Sequence, residues 1–167
     1  DQKVLLDRCD SESDNFLAAL RWAITKGCDV TAGMLLAAKL CLYWDMRARS
    51  LEGIALLTEA ETAAAAMGPT PELAAAIFAV GFLYSGIGND QKGLEQYERS
   101  LSVAREVGDW DAISRALTGR SEALLFLGRS DEAEAGFLEC LDIRRQQSIC
   151  REIDIVILEF YLGLVYF

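Results

Sequence analysis

Three stretches decide the fold: ARSLEGIALLTEAE (Ala48–Glu61), GNDQKGLEQYERSL (Gly88–Leu101) and GRSDEAEAGFLECL (Gly128–Leu141), which begin 40 residues apart. Small residues recur in register at Gly53, Gly93 and Ala133, large apolar ones at Leu57, Tyr97 and Phe137, and small ones again at Ala60, Ser100 and Cys140. The register extends upstream, with small Cys41, Gly81 and Ser121 followed by bulky Trp44, Tyr84 and Leu124. Ser50, Asp90 and Ser130 stand where helix N-caps are expected, ahead of each helical pattern. A period this long marks an array of stacked units rather than one irregular domain.

Within each unit the apolar spacing follows a helical period and never alternates as a strand does. It predicts helices at about 14–26, 31–47, 51–67, 71–87, 91–107, 111–127, 131–147 and from 151 onward. Thr70 is placed to cap the fourth of these, with Pro71 at the first helical position, where a missing N–H is harmless. Gly27, Gly68, Gly88, Gly108 and Gly128 fall where helices should end. Paired helices at a fixed period bury their faces only by stacking, so the expected fold is an all-α, right-handed helix-pair solenoid. Its expected divisions are a leading segment with one helix over 1–30, repeats over 31–68, 69–108 and 109–148, and a truncated repeat over 149–167. Gly53, Gly81 and Gly93 lie inside helices, where glycine costs about 1 kcal/mol against alanine. Close approach of the two helices of a pair is the expected reason.

Composition narrows the function. With 52% apolar residues the chain can bury a core, and a net charge of -10 opposes contact with nucleic-acid phosphates and anionic membranes. The absence of histidine removes the commonest general base and the commonest zinc ligand. Five cysteines, at 9, 28, 41, 140 and 150, form no CxxC and no metal knuckle. They read as small core residues of a reducing compartment, which points to the cytoplasm, with Cys28 the expected exposed thiol. The tail DIVILEFYLGLVYF carries Asp154 and Glu159 and falls short of the roughly 20 residues a membrane span needs. Because it stops within a helical pattern, it reads as a cut made in a longer polypeptide. Ile155, Leu158, Leu162 and Val165 would then lie bare and could drive homodimer formation.

The pattern Gly81, Tyr84, Gly88, Gly93, Tyr97, Ser100, continued by Ser121, Leu124, Gly128, Ala133, Phe137 and Cys140, resembles the tetratricopeptide repeat. A weaker copy runs from Cys41 and Trp44 to Ala60, and Gly163 and Tyr166 open another. The period of 40 departs from the usual 34, and Arg120 stands where the motif asks for a buried leucine. A second resemblance lies in SESDNFLAALRWAITKG and LAAKLCLYWDMRARSLEGIALL. Through Asp14, Asn15, Ala19, Leu20 and Trp22, then Leu40, Trp44, Arg47, Glu52 and Gly53, it is similar to the segment opening the repeats of large bacterial regulators. Those are STAND-type ATPases related to LuxR-type and maltose-regulator-like transcriptional activators. The resemblance implies a sensor or protein-interaction module with the ATPase elsewhere in the chain. A free-standing scaffold and a regulatory domain of an enzyme such as a nucleotide cyclase are the alternatives.

In tetratricopeptide arrays the first helix of each pair lines a concave groove. By register the inward candidates are Leu42, Asp45 and Met46, then Phe78, Phe82 and Ser85, then Arg115, Glu122, Leu125 and Phe126. An apolar set like this suits an amphipathic helix or a neighbouring segment of the same protein, while Phe78 and Phe82 could equally pack between repeats. The lysine and asparagine set that clamps a peptide carboxylate in chaperone-binding repeats is absent. Asp131, Glu132, Glu134 and Glu139 read as the solvated face of a second helix, since hard cations need six or more converging oxygens. GIGND at Gly86–Asp90 lacks the GxxxxGK[ST] pattern and a preceding strand. No catalytic, metal or cofactor residue is expected in this segment.

Overall fold

The computed structural model describes residues 2–147 and 152–165. The described residues form a stack of α-helices: α1 (Gln2–Ser11), α2 (Ser13–Leu20) continued by a π-helical turn (Arg21–Thr25), α3 (Val30–Met46), α4 (Ser50–Ala64), α5 (Pro71–Gly86), α6 (Asp90–Val107), α7 (Trp110–Phe126), α8 (Ser130–Gln146) and α9 (Glu152–Val165). Helices α3/α4, α5/α6 and α7/α8 are the repeat pairs. Each first helix packs on the next, α3 on α5, α5 on α7 and α7 on α9, whereas α4, α6 and α8 make no comparable contact with one another. The first helices therefore form the tighter layer of an all-α solenoid. Arginine–carboxylate pairs span the looser layer, Arg99 to Glu61 at 2.8 Å and Arg105 to Glu139 at 2.7 Å.

Capping chemistry sets several helix starts: Thr70 caps α5 as expected, whereas the helices expected to be capped by Ser50, Asp90 and Ser130 begin at those residues, one position earlier. Asp29, Thr70, Asn89 and Asp109 each accept a hydrogen bond from the backbone N–H three residues on. Before Ser50 and Ser130 stand Arg49 and Arg129, which make no side-chain cap and turn onto Glu52 (2.8 Å) and Glu132 (2.7 Å). Each carboxylate then sits in the first turn, where the helix dipole favours negative charge. Gly27, Gly68, Gly88, Gly108 and Gly128 all adopt positive φ, between 66° and 77°, which closes the preceding helix without Cβ strain.

The interior glycines mark close approach, as expected. A Cβ on Gly81 would lie 2.9 Å from the Tyr97 ring and 3.2 Å from the Gly93 carbonyl oxygen. One on Gly53 would strike the Trp44 ring. Two buried clusters result. Trp44, Leu57, Met34 and Leu83 centre one, spanning α2 to α5; Tyr97, Leu117, Leu124 and Phe137 centre the other, spanning α5 to α9. Helix α5 contributes to both.

Four expectations need correction. The leading segment holds α1 as well as the helix foreseen near 14–26. Leu6 and Cys9, one turn apart, pack it on the first core cluster, and Arg47 of α3 holds it through Asp10 (Nε to Oδ1, 3.1 Å), with Tyr43 donating to the same oxygen. Helix α4 ends at Ala64, before the expected 67. Arg120 does not empty the packing at a leucine position: it lies half-buried and turns its guanidinium outward to Glu98 at 3.3 Å. On α9 the inward and outward faces exchange. Leu158 is buried, and Ile155, Leu162 and Val165 pack on the second cluster, leaving Val156, Ile157, Phe160 and Leu164 exposed. Asp131, Glu132 and Glu139 are exposed and Glu134 half-buried, so the acidic stretch is a solvated helix face. Cys28 is exposed and Cys140 buried; Cys150 and Tyr166 lie outside the described residues.

Candidate partner-binding groove

Tyr97 organises the concave side. It belongs to α6, a second helix, yet its ring reaches between α5 and α7 because both present glycine there. A Cβ on Gly119 would come within 2.6 Å of that ring, as one on Gly81 would come within 2.9 Å. The ring stands 5.4 Å from that of Phe78, tilted by 49°, and is almost wholly buried. Burial pushes the Tyr97 hydroxyl well above its ordinary range, so it stays protonated.

Around this platform opens a cavity of about 420 Å³, walled by Cys41 and Leu42 of α3, Phe78 and Phe82 of α5, Arg115 and Glu122 of α7, and Ile157 of α9. The size and apolar lining are those of a site for a side chain or short segment. Leu42 is 53% exposed and Ile157 41%, so both offer apolar surface at the rim. Phe78 and Phe82 are half-buried and pack against the two core clusters, so they serve the core and the groove together.

Charge is placed sparingly. Arg115 lies with Nε 3.2 Å from Asp111, one turn earlier on α7. Arg144 of α8 also lines the cavity and is only 5% exposed. Burial pushes the Glu122 carboxyl up, opposed by a hydrogen bond donated by Tyr161 of α9. Tyr161 in turn is pushed up to about 12 by its own burial and by the Glu122 charge, and its ring stacks on Phe137 at 5.3 Å. Glu122 and Tyr161 thus tie α7 to α9 at the far wall.

Of the residues expected to line the groove, Leu42, Phe78, Phe82, Arg115 and Glu122 gather round this cavity. Asp45, Met46, Ser85, Leu125 and Phe126 do not line it. Asp45 abuts Gly86, where α3 meets the end of α5, and Phe126 projects into solvent at 70% exposure. Ser85 faces Gly93 between the helices of its own pair, and Leu125 packs on the second core cluster. Cys41, Tyr97, Thr118, Gly119, Arg144, Ile157 and Leu158 line it without having been expected there. A glycine inside the helix predicted over 111–127 was the available signal for Gly119; nothing in sequence spacing brings Arg144, on a second helix, to this wall.

Residues 71–146, covering the α5/α6 and α7/α8 pairs, match the tetratricopeptide repeat family. Solved structures with the same architecture include BtubC (BKLC) from P. vanneervenii, at 20% identity and TM-score 0.78 over 96% of this chain and 65% of that one. Two structures of kinesin-light-chain-type, nearly identical TPR-like repeats from Podosopora anserina are also similar. One has 13% identity and TM-score 0.70 over 99% and 83% of the respective chains. The other has 14% identity and TM-score 0.69 over 81% and 66%. The chain spans about two thirds of the length of BtubC and of the latter Podosopora structure. At these identities the likeness is one of fold. No curated protein matches the sequence. No described helix is long and apolar enough to cross a membrane.

Proposed function

We propose that this chain is a protein-interaction module whose concave groove receives an apolar segment of a protein, with Leu42, Phe82 and Ile157 as its principal contacts. The carrying observation is the 420 Å³ cavity, whose apolar rim residues face solvent while its floor is fixed by Tyr97. An amphipathic helix fits such a surface, since residues spaced three and four apart reach successive pockets. For the setting, the residues from Asp14 to Trp22 and Leu40 to Gly53 support the repeat region of a multidomain bacterial transcriptional regulator with a STAND-type ATPase elsewhere. In that setting the module is cytoplasmic and holds or releases the ATPase. The likeness to kinesin-light-chain-type repeats favours a second reading, a scaffold or adaptor without such domains.

Selection from a displayed peptide library tests the groove. Enriched peptides are expected to carry apolar residues at helical spacing and to lose binding to a Leu42→Glu variant, while a Trp110→Glu control on an exposed site still binds. Peptides that bind Leu42→Glu as well as the parent chain would rule the groove out. Reading the coding sequence on both sides separates the settings: a Walker-type ATPase supports the regulator, and further repeats alone support the scaffold.

A further inference from the structure

We propose that a second site, on the opposite helix layer, binds an acidic peptide segment carrying apolar side chains. It lies where the π-helical turn meets α4, in a concavity of about 600 Å³ lined by Ala18, Arg21, Trp22, Lys26, Leu56 and Glu59, none of which lines the groove. Residues 18, 22 and 25 fall on one face of the leading helix, and the wider π turn carries Trp22 and Lys26 round to that same opening. Lys26 N–H reaches back to the Arg21 carbonyl at 3.2 Å, which closes the wide turn.

Trp22 is 59% exposed, whereas Trp44 is fully buried in the core. A large aromatic surface left in solvent beside a concavity is a common anchor for a partner. The charges around it set the partner's sign. Arg99, Arg105, Arg120 and Arg129 are each committed to a carboxylate, but neither Arg21 nor Lys26 makes an ion pair among the described residues. The carboxylate facing them, Glu59, already accepts a hydrogen bond from Thr25 at 2.6 Å. One negative charge against two positive ones leaves the concavity locally cationic on a chain of net charge -10. That acidic remainder acts at long range and is screened beyond about 8 Å at physiological salt. Within that range the lining charges decide, and two cations against one carboxylate favour a negatively charged segment. Leu56 and Ala18 supply apolar walls for the segment's hydrophobic side chains.

The test uses the whole chain and a blocked peptide of glutamates and leucines, followed through the Trp22 indole N–H signal in a nitrogen–proton NMR spectrum. The Trp22 signal is expected to move while that of buried Trp44 stays. A lysine-for-glutamate peptide should leave both in place. The Arg21→Gln, Lys26→Gln double variant, with the parent's melting behaviour, should bind about tenfold more weakly. Trp22→Ala keeps both charges and is the second arm; anisotropy of the labelled peptide should again fall by a similar factor. Because charge and apolar content define the ligand, no Trp22 shift with the acidic peptide overturns the proposal. So does equal binding by the double variant or by Trp22→Ala, or an equal shift produced by inorganic phosphate. A Trp22 shift that grows with chain concentration alone would assign the site to a second copy instead.

Discussion

At the residue scale, glycine carries more of the design than any charged group, and its effect reverses with its neighbours. An exposed helix gains about 1 kcal/mol when glycine becomes alanine. At Gly119 the new Cβ would sit 2.6 Å from Tyr97 Cε1 and 2.8 Å from Cζ, atoms locked between α5 and α7. Overpacking of this kind costs roughly 1–3 kcal/mol, so Gly119→Ala is expected to destabilise the chain on balance. Gly163, on α9, has nothing within 4 Å of the same position, so Gly163→Ala should be neutral or stabilising. Urea unfolding of both variants checks the pair. In a Tyr97→Leu background the Gly119→Ala change should lose its cost; a cost that persists would show that the ring is not its cause. Gly53, Gly81 and Gly93 were legible in the sequence because a helix interior gives glycine no other reason to be there, and Gly119, to which that reasoning was not extended, could have been found the same way. The reach of Tyr97 across two first helices was not legible, since spacing reports the face of a helix and not the length of a side chain.

At the element scale, α9 joins the stack through a polar contact as well as an apolar one, and that contact depends on pH. Glu122 of α7 accepts from Tyr161 of α9, and burial raises its carboxyl above the ordinary value of 4.5. The folded chain therefore binds a proton there more readily than the unfolded one. This carboxyl favours folding fully below about pH 4.5, and that favour is lost as pH rises through the raised value. Glu122→Gln keeps an oxygen to accept from Tyr161 and removes the buried charge. It is expected to stabilise the chain by about 1 kcal/mol at pH 7, and the advantage should vanish near pH 4. Thermal melts of both proteins across that range measure it, and an advantage independent of pH would exclude the buried charge as its source. The helix order was visible in the 40-residue register, but element ends were less so. Ser50 and Ser130 read as caps because serine favours that position, while Arg49 and Arg129 with their partner glutamates hold the turns in the structure. On α9 an apolar helix offered two faces of similar hydropathy, and only the position of α7 and α8 chose between them.

At the scale of the whole molecule, α5 is the element that, among the described residues, contributes to both core clusters, which favours a chain of nearest-neighbour interactions over one cooperative core. In such an array a local loss of stability should stay local, falling off with each interface crossed. Leu57 of α4 is fully buried in the first cluster, which also holds Trp44 and Leu83, and does not belong to the second. Leu57→Ala should cost about 2–5 kcal/mol in that cluster. Amide hydrogen exchange is the measurement that resolves where the cost appears. Exchange is expected to speed up through α3 and α4 and partly in α5, while the inner amides of α7 and α8 keep most of their protection. The mirror variant, Phe137→Ala in the second cluster, should loosen α7 to α9 and spare α3 and α4. An equal loss of protection from α3 to α8 in either variant would mean that α5 couples the clusters into one unit. The groove draws walls from both clusters, Cys41 and Phe82 from the first and Phe78 and Tyr97 from the second. Its shape therefore depends on the angle the two clusters keep across α5, and a partner seated on both walls would strengthen their coupling.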